Sequence, residues 1–518
     1  MRKYLTCCIA LVLATTGLFW ETSAALDLPP LKQEAASRLD AKASEFGRIA
    51  DAIWSYAELG FQETRSSKLL ADTLERNGFL VERGVSKIPT AFVASFGKGR
   101  PVIGVSCEFD ALPGLSQKAG LAQKEPLIEG APGHGDSHQL LGTAGVLTAV
   151  VLKELIEEKR LKGTIKLFGC PAEESGAAKA FMVKEGLMDG LDVYLDNHPD
   201  NKFAIQLGVT TNALFYARAR FFGKSAHAGS EPWAGVSALD ALMVATYGME
   251  LLREHLELSH RIHYVITEGG QAPNVVPDRA TLEFYVRDAD ERVEKTYQKV
   301  LNCIQAGALA AGCTYEVELV QALHQIHPNE ALGRLMFENM QLLGAPAWSD
   351  SEQGFAKELQ KAWGVKESGL PDSPELLLAP QVFTGGASSD VGDVSLVAPV
   401  ATVAIPAWPK GIPPHTWPVV ALGTTSLAHK AMLEATKVLV FTGLDVLTEP
   451  ERLGQIRSEF ETLRRDFAYK SLLPENTKPS LDLYREPMER FRPLMEPFYM
   501  APSAKKRTIG AFGVGIER

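Results

Sequence analysis

The sequence predicts an α/β protein in which a mainly parallel sheet covered by helices forms the larger domain and a ferredoxin-like βαββαβ unit is inserted into it. Three observations carry this prediction. Before Val209, short apolar runs alternate with amphipathic stretches of helical length, as in parallel sheets whose strands are buried on both faces. From residue 209 to 324 the order becomes strand, helix, strand, strand, helix, strand, the pattern of a split βαβ unit. An apolar run at residues 400–405 (VATVAI) then resumes the first rhythm. The second unit therefore interrupts the first, which is easy when the ends of an insert lie close together.

Composition agrees with this reading. The chain has 518 residues, enough for two or three domains. Hydrophobic residues make up 46% and charged residues 22%, which excludes collagen-like, coiled-coil and wholly disordered classes. The formal charge of −10 disfavours a generic polyanion binder, so nucleic acid is not an expected partner.

Taken in order, residues 1–25 carry Arg2 and Lys3, an apolar run from Leu5 to Trp20, and then Glu-Thr-Ser-Ala-Ala. That is the three-part layout of a secretory signal, and the run falls short of the ~20 residues a spanning helix needs. The expectation is cleavage after Ala24 or Ala25, an exported, periplasmic or secreted protein, and no stable membrane association afterwards. Cys7 and Cys8 leave with the leader, and the remaining Cys107, Cys170, Cys303 and Cys313 are too sparse for a disulfide scaffold. Cys107 and Cys170 read as buried small hydrophobes.

Residues 32–77 keep helical spacing, with Gly78 as a stop. Residues 101–106 (PVIGVS) read as a buried strand running into Cys107-Glu108-Phe109-Asp110. Gly142 opens a long helix to about Lys159, and residues 164–169 (TIKLFG) form the next strand, ending at Pro171-Ala172-Glu173-Glu174. Residues 191–195 form a third, ending at Asp196-Asn197-His198. Ligands of such sheets gather beyond the carboxyl ends of the strands, where these charged clusters fall. The insert reads as strands at 211–222, 261–268, 280–287 and 314–323 with helices at 235–256 and 291–310. Residues 26–208 and 325–448 thus make the larger domain, with a proline-rich excursion at 346–383. The span 449–518 holds one charged amphipathic helix and a tail containing Lys505-Lys506-Arg507, read as a surface wrap or disorder.

Of the 11 histidines, His138, His198, His227 and His415 stand in short segments suited to metal or substrate contact: GHGDSHQ, DNHP, GKSAHAG and PPHTW. A dinuclear site of hard-to-borderline ions needs carboxylates mixed with imidazoles, and Asp136, His138, Glu174, His198 and His415 would suffice. Asp136-x-His138 is a chelating pair if the segment is extended, or a simple turn. The adjacent Glu173 and Glu174 repel each other unless metal or protons neutralise one of them; one can ligate while the other activates water. The alternative for this pair is a solvated helix N-terminus.

In order along the chain, the segments EFDALPG, GHGDSHQLLGTAG, CPAEES, DNHP, FFGKSAHAGSEPWAGVSALDA, APNVVPDRATLEFYVRD, SSDVGDVS and PPHTW resemble the metal-dependent amidohydrolases and carboxypeptidases of the aminoacylase type. Within them the similarity is greatest to the branch formed by the B component of aminobenzoyl-glutamate hydrolase, with the auxin-amino-acid conjugate hydrolases as cousins. The resemblance implies Glu173 as general base, Asp136, His138, Glu174, His198 and His415 as metal ligands, and Asp110 as the group that holds a ligand from behind. It further implies that His227 reaches an active site from the inserted dimerisation domain, usually that of the partner subunit. Asn274 and Arg287 would lie near substrate, where an arginine can clamp a carboxylate. Alternatively His227 is a hinge-loop residue, Arg287 pairs with Asp288 or Asp290, Asp390 and Asp393 cap a helix, and His134 is a plain loop residue.

This chain departs from the branch at Asp136, where the branch has cysteine. Loss of a thiolate favours harder ions, so the implied cofactors are two divalent metal ions, manganese or zinc, with cobalt also tolerated. The expected function is an exported, homodimeric, metal-dependent amidohydrolase that cleaves an N-acyl or N-aroyl amino acid resembling aminobenzoyl-glutamate. The alternatives are a carboxypeptidase or dipeptidase with the same site, and a metal-poor relative acting as a binding module.

Overall fold

Two sheets organise the chain. The computed structural model describes residues 28–503; the expected leader and the basic triplet of the tail lie outside the described residues. The strands are β1 (Leu80–Arg83), β2 (Phe92–Lys98), β3 (Val102–Glu108), β4 (Gly163–Cys170), β5 (Val193–Asp200), β6 (Ala204–Gln206), β7 (Ala213–Phe222), β8 (Arg261–Glu268), β9 (Arg279–Asp288), β10 (Thr314–Leu323), β11 (Glu375–Leu377) and β12 (Val400–Pro406). The larger sheet has the order β1-β2-β4-β3-β5-β12-β6-β11. Its centre, β4-β3-β5-β12, is parallel as expected. Its margins are mixed: β1, β2 and β4 pair antiparallel in turn, β6 runs against β12, and the edge strand β11 runs parallel to β6. Short connections, such as that between β1 and β2, close antiparallel neighbours, whereas each parallel step needs a helical crossover.

The helix His138–Lys159 is the central crossover, and it is buried over most of its length. Among the described residues it is the one helix long and apolar enough to cross a membrane, but it is packed inside the protein. Small residues set its depth: a Cβ on Gly142 would lie 2.3 Å from the Glu108 carbonyl oxygen, and one on Gly145 would lie 2.1 Å from that of Ser106. The helix therefore rests directly on β3. It begins four residues before the expected Gly142, which puts His138 on its first turn beside the end of β3. The stretch 32–77 is likewise not one helix. It breaks at Ala57 (φ 39°) into Pro30–Tyr56 and Thr64–Arg76, and the buried Glu58 carboxylate accepts the otherwise free amides of Arg65 and Ser66 at the second start.

The insert is the expected antiparallel sheet in the order β10-β7-β9-β8, backed by the helices Ala238–Leu252 and Asp290–Ala311. The first of these ends earlier than expected, in a 3-10 turn at Arg253–His255. Leu282, Phe284 and Val286 are buried with Ala241, Ala245 and Ile304 of the helices, so the alternating residues Glu283, Tyr285 and Arg287 face the other way. Where the chain returns from the insert, Asp290 accepts from His324 Nδ1 and His327 Nε2, both at 2.9 Å.

The tail is ordered wrapping as far as residue 503. After the helix Pro450–Asp466, a second helix, Arg485–Met495, packs back on the end of the helix Pro30–Tyr56 and the turn that follows it. There Arg492 donates to the Gln62 carbonyl at 2.8 Å, and Tyr499 meets Tyr56 edge-on at 5.0 Å. Cys107 and Cys170 are free and buried on adjacent strands, as small hydrophobes.

Because the seat of the central helix depends on close approach to β3, Gly145→Ala should lower stability by about 1–3 kcal/mol. Gly354→Ala, in an exposed helix with nothing within 4 Å of the new methyl group, should be neutral or slightly stabilising. Chemical denaturation of the two variants beside the parent measures both.

Candidate metal centre

Four strand ends and two loops bring the ionisable residues together. Glu108 ends β3 and Asp110 follows it; Glu173 and Glu174 follow β4; His198 lies within β5; His415 follows β12. Asp136 and His138 converge for a reason other than an extended segment. Ser137 between them is left-handed (φ 56°) and His138 already belongs to the helix. Left-handed backbone also precedes the two glutamates, at Ala172 (φ 56°), and occurs at His415 itself (φ 61°). Such conformations cost of order 1–3 kcal/mol each and persist where the surroundings hold them. One holding contact is visible: His415 N–H donates to the Gly135 carbonyl at 2.8 Å, and a Cβ on Gly135 would lie 3.3 Å from the His415 Cα.

Glu173 and Glu174 are not at a helix start. The next helix begins at Ala178, and Glu173 is buried. Asp110 organises its neighbours from behind: one carboxylate oxygen accepts from His138 Nδ1–H at 2.9 Å and the other from the Glu174 backbone N–H at 3.0 Å. His138 therefore turns Nε2 inward. His198 Nδ1–H donates to the Pro199 carbonyl at 2.8 Å, so its Nε2 also faces inward, 3.9 Å from Asp136 Oδ2. His415 Nε2 lies 3.4 Å from both Asp136 Oδ2 and Glu174 Oε2. Two donor groups result, Glu108 with His138 and His198, and Asp136 with Glu174 and His415, each with its donor atoms within 4.8 Å of one another.

The donor atoms fit divalent cations. Glu108 Oε2, Asp136 Oδ1 and His138 Nε2 are buried with no hydrogen-bond partner, an arrangement that costs about 1–3 kcal/mol per group when nothing satisfies it. Oxygen mixed with imidazole nitrogen is the donor set of zinc and manganese. The same crowding moves the acidities. Burial pushes the Glu174 carboxyl up to about 7, with the Asp136 charge adding to it, and burial also holds Glu173 well above its usual value, helped by the charges of Glu108 and Asp390. Burial also works to raise Asp136, but the charges of His198 and His415 hold it below its usual value.

His227 and Asn274 do not join this cluster within one chain. His227 is exposed on the insert, its Nδ1 accepting from the Gly229 and Ser230 amides at 3.1 Å. Asn274 is its neighbour, its carbonyl accepting from Ala228 N–H at 3.0 Å. Arg287 takes neither acidic partner considered for it. Asp288 is held by Ser259, Thr296 and Arg292, and Asp290 by the two histidines. Its guanidinium instead lies 5.4 Å from the Tyr285 ring centroid, with Nε unpartnered and Glu173 near enough to act on its charge.

Asp390 and Asp393 make no side-chain cap on the helix Val391–Ser395. Asp390 pairs with Lys179, and Asp393 accepts from the His324 amide and the Tyr469 hydroxyl. His134 is no plain loop residue: it is buried, with Nε2 3.1 Å from the Ile53 carbonyl.

Three residues were not anticipated. Glu108 stands two residues before Asp110 at a strand end, a spacing that was itself a signal. Lys179 stood as a lone cation in the apolar run GAAKAFMV; it is fully buried, with Nζ 2.6 Å from Glu108 Oε1 and 2.5 Å from Asp390 Oδ1. Tyr484 comes from the tail, where nothing local marked it. With Tyr216, His263, Glu283 and Tyr285 it lines a cleft of about 340 Å³. Burial pushes the Tyr484 hydroxyl up to about 12, and the charges of Glu283, Glu174 and Asp110 add to this, which sets the cleft within the field of the carboxylate cluster.

Comparison with known proteins agrees with the geometry. The family described as "Peptidase dimerisation domain" matches residues 210–308. The B component of the p-aminobenzoyl-glutamate hydrolase of Escherichia coli K12 is 37% identical over 468 residues, covering 85% of this chain and 97% of that protein. The Xaa-Arg dipeptidase of Mus musculus is 28% identical over 468 residues, covering 85% of this chain and 94% of that protein. Among solved structures, a dinuclear metal-binding peptidase of the M20 family from Bacillus subtilis shares the fold with a TM-score of 0.51 at 16% identity, covering 79% of this chain and 99% of that one.

The clamp formed by Asp110 yields a measurable expectation. Asp110→Ala should weaken divalent-ion binding about 10- to 100-fold without unfolding the chain, as read by calorimetric titration of metal-free protein with manganese or zinc.

Proposed function

We propose, because this chain belongs to the M20 family of amidohydrolases and peptidases, that it hydrolyses the amide bond between an aromatic acyl group and an amino acid, with p-aminobenzoyl-glutamate as the model substrate. The observation that carries the aromatic preference is the cleft of Tyr216, Tyr285 and Tyr484 beside the carboxylate cluster. Aromatic rings stack favourably on such walls, and the name of the Escherichia coli relative points to the same acyl group.

Asp136, His138, Glu174, His198 and His415 would hold two divalent ions, and Asp136 in place of a thiolate favours manganese over zinc. When bound, such ions supply Lewis acidity, lowering the pKa of water toward ~7 and polarising a carbonyl. The chain's own residues do the rest. Glu173, whose raised pKa suits a group that must hold a proton, takes the proton of the attacking water and delivers it to the leaving nitrogen. Arg287, on the same face as Tyr285, pairs with the carboxylate of the amino acid.

His227 and Asn274 complete the site from a second copy of the chain in a homodimer. Support for association is an exposed apolar surface on the insert: Met243, Val244, Tyr247 and Leu251 on one helix, with Val265 and Ile266 on the edge strand β8. By its name the Escherichia coli relative is one component of a larger assembly, so a different chain is the competing partner, and sedimentation of the purified protein separates the two. The leader supports an exported protein, and N-terminal sequencing of the mature chain checks that.

The decisive experiment is turnover of manganese-loaded protein on p-aminobenzoyl-glutamate, N-acetyl-glutamate and dipeptides. The aroyl substrate should lead in kcat/KM by about tenfold or more, and Tyr285→Ala should reduce that lead while sparing the acetyl substrate. Equal or faster cleavage of dipeptides would replace this reading with a dipeptidase. The two glutamates should separate: Glu173→Gln keeps both ions and loses about 10²- to 10⁴-fold in kcat, whereas Glu174→Ala also loses bound metal.

A further inference from the structure

We propose that Glu108 is itself a metal ligand, joining His138 and His198 on one ion of the pair, and that Lys179 is the positioning residue that determines which oxygen of Glu108 faces that ion. The assignment rests on the dinuclear reading above and adds to it a donor and a buried cation.

Glu108 is 1% exposed, and its two oxygens have different surroundings. Oε1 accepts from Lys179 Nζ at 2.6 Å. Oε2 has no partner and lies 3.6 Å from His138 Nε2, which has none either. That separation is too long for a hydrogen bond. The other ring nitrogen of His138, Nδ1, is engaged by Asp110 at 2.9 Å, which fixes the ring with Nε2 toward Glu108. Oε2 and Nε2 thus face each other in a sealed space, each without a hydrogen-bond partner, an arrangement that one shared cation would satisfy. Donor atoms that each sit ~2.0–2.2 Å from one ion are about 3–4 Å apart, and 3.6 Å falls in that range. His198, also turned Nε2-inward, belongs to the same group of donors.

Lys179 explains why this oxygen is presented. Its ammonium is 0% exposed and lies between Glu108 Oε1 and Asp390 Oδ1, while its backbone N–H donates to Asp390 Oδ2 at 2.9 Å. Asp390 is thus held at both oxygens and cannot swing away, and Lys179 is held through Asp390. Turning the Glu108 carboxylate would break a buried ion pair and leave the Lys179 charge short of a partner. Formally the three groups sum to one negative charge. A single carboxylate oxygen is left to face the ion, where an unpaired glutamate would offer a mobile one. Were Glu108 only the counter-ion of Lys179, nothing would require Oε2 to be buried beside His138 Nε2 with neither atom partnered.

The test uses the full chain. Metal-free wild type and Glu108→Gln are loaded with manganese, bound ions are counted by atomic emission after gel filtration, and affinity is titrated calorimetrically. Wild type should hold two ions. Glu108→Gln, which keeps the size of the side chain and an oxygen for Lys179, should hold one tightly and the other at least tenfold more weakly. Lys179→Met should weaken the same ion and leave the other unchanged. Diffraction from manganese-loaded wild-type crystals gives a second readout that needs no variant to fold: anomalous density should lie at bonding distance, about 2.2 Å, from Glu108 Oε2. Two ions bound with unchanged affinity in Glu108→Gln, or an ion beyond hydrogen-bonding range of Oε2, overturns the assignment alone. A wild-type chain that binds no ion overturns it together with the metal reading.

Discussion

The constraint on which the rest of the structure depends is the burial of many ionisable groups in one place. Glu108, Asp110, Asp136, Glu173 and His138 are all buried, and Glu174, His198 and His415 complete the ring around them. Removing even one such ion from water costs several kcal/mol, and carboxylates this close resist sharing one region of low dielectric. The protein answers in three ways. Asp110 is satisfied by two hydrogen bonds, Glu108 by half of a lysine, and the remaining donors are aimed at two small spaces suited to cations. An apolar core would be more stable in isolation, so the arrangement is explained by chemistry and not by folding.

Holding those groups in place requires an unusually tight frame, which explains backbone features that would otherwise be costs. The glycines of the central helix let it lie on β3, so that His138 starts the helix directly beside the strand end that carries Glu108. Left-handed residues at Ser137, Ala172 and His415 turn three separate segments inward within a few residues. In each case the strain sits within two residues of a carboxylate or imidazole of the cluster, whose placement must be held to within about an ångström for it to act.

Much of the fold and part of the site were legible because their signals are local. Buried parallel strands announce themselves as apolar runs, and a charged pair such as Glu173-Glu174 immediately after one stands out without any knowledge of its neighbours. The split unit at 209–324 was legible for the same reason, since its alternation is complete within each strand. What was not legible depends on distance along the chain. Lys179 and Asp390 are 211 residues apart, so nothing near either announces the pair, and Asp390 read as a cap because serines and an incipient helix surround it. Of the two readings left open for Asp136-x-His138, the extended segment fails on one dihedral at Ser137, a residue type with no strong left-handed preference. The break at Ala57 was hidden because a buried carboxylate from outside the second helix, Glu58, starts it in place of a local cap.

The distribution of parts around the cleft bears on how such a protein acquires specificity. The carboxylates and imidazoles of the cluster come from the parallel core of the large sheet, from its strand ends and from the loops and helix start that adjoin them. Its aromatic walls come from elsewhere: Tyr216 and Tyr285 from the open face of the insert, and Tyr484 from the tail that crosses back over the core. These two elements reach the cluster across space and not through the strands that carry it. Arg287 sits at the junction, on the strand that carries Tyr285 and within the field of Glu173. A substrate spanning the cleft would therefore be gripped by the insert and the tail while its amide lies over the core.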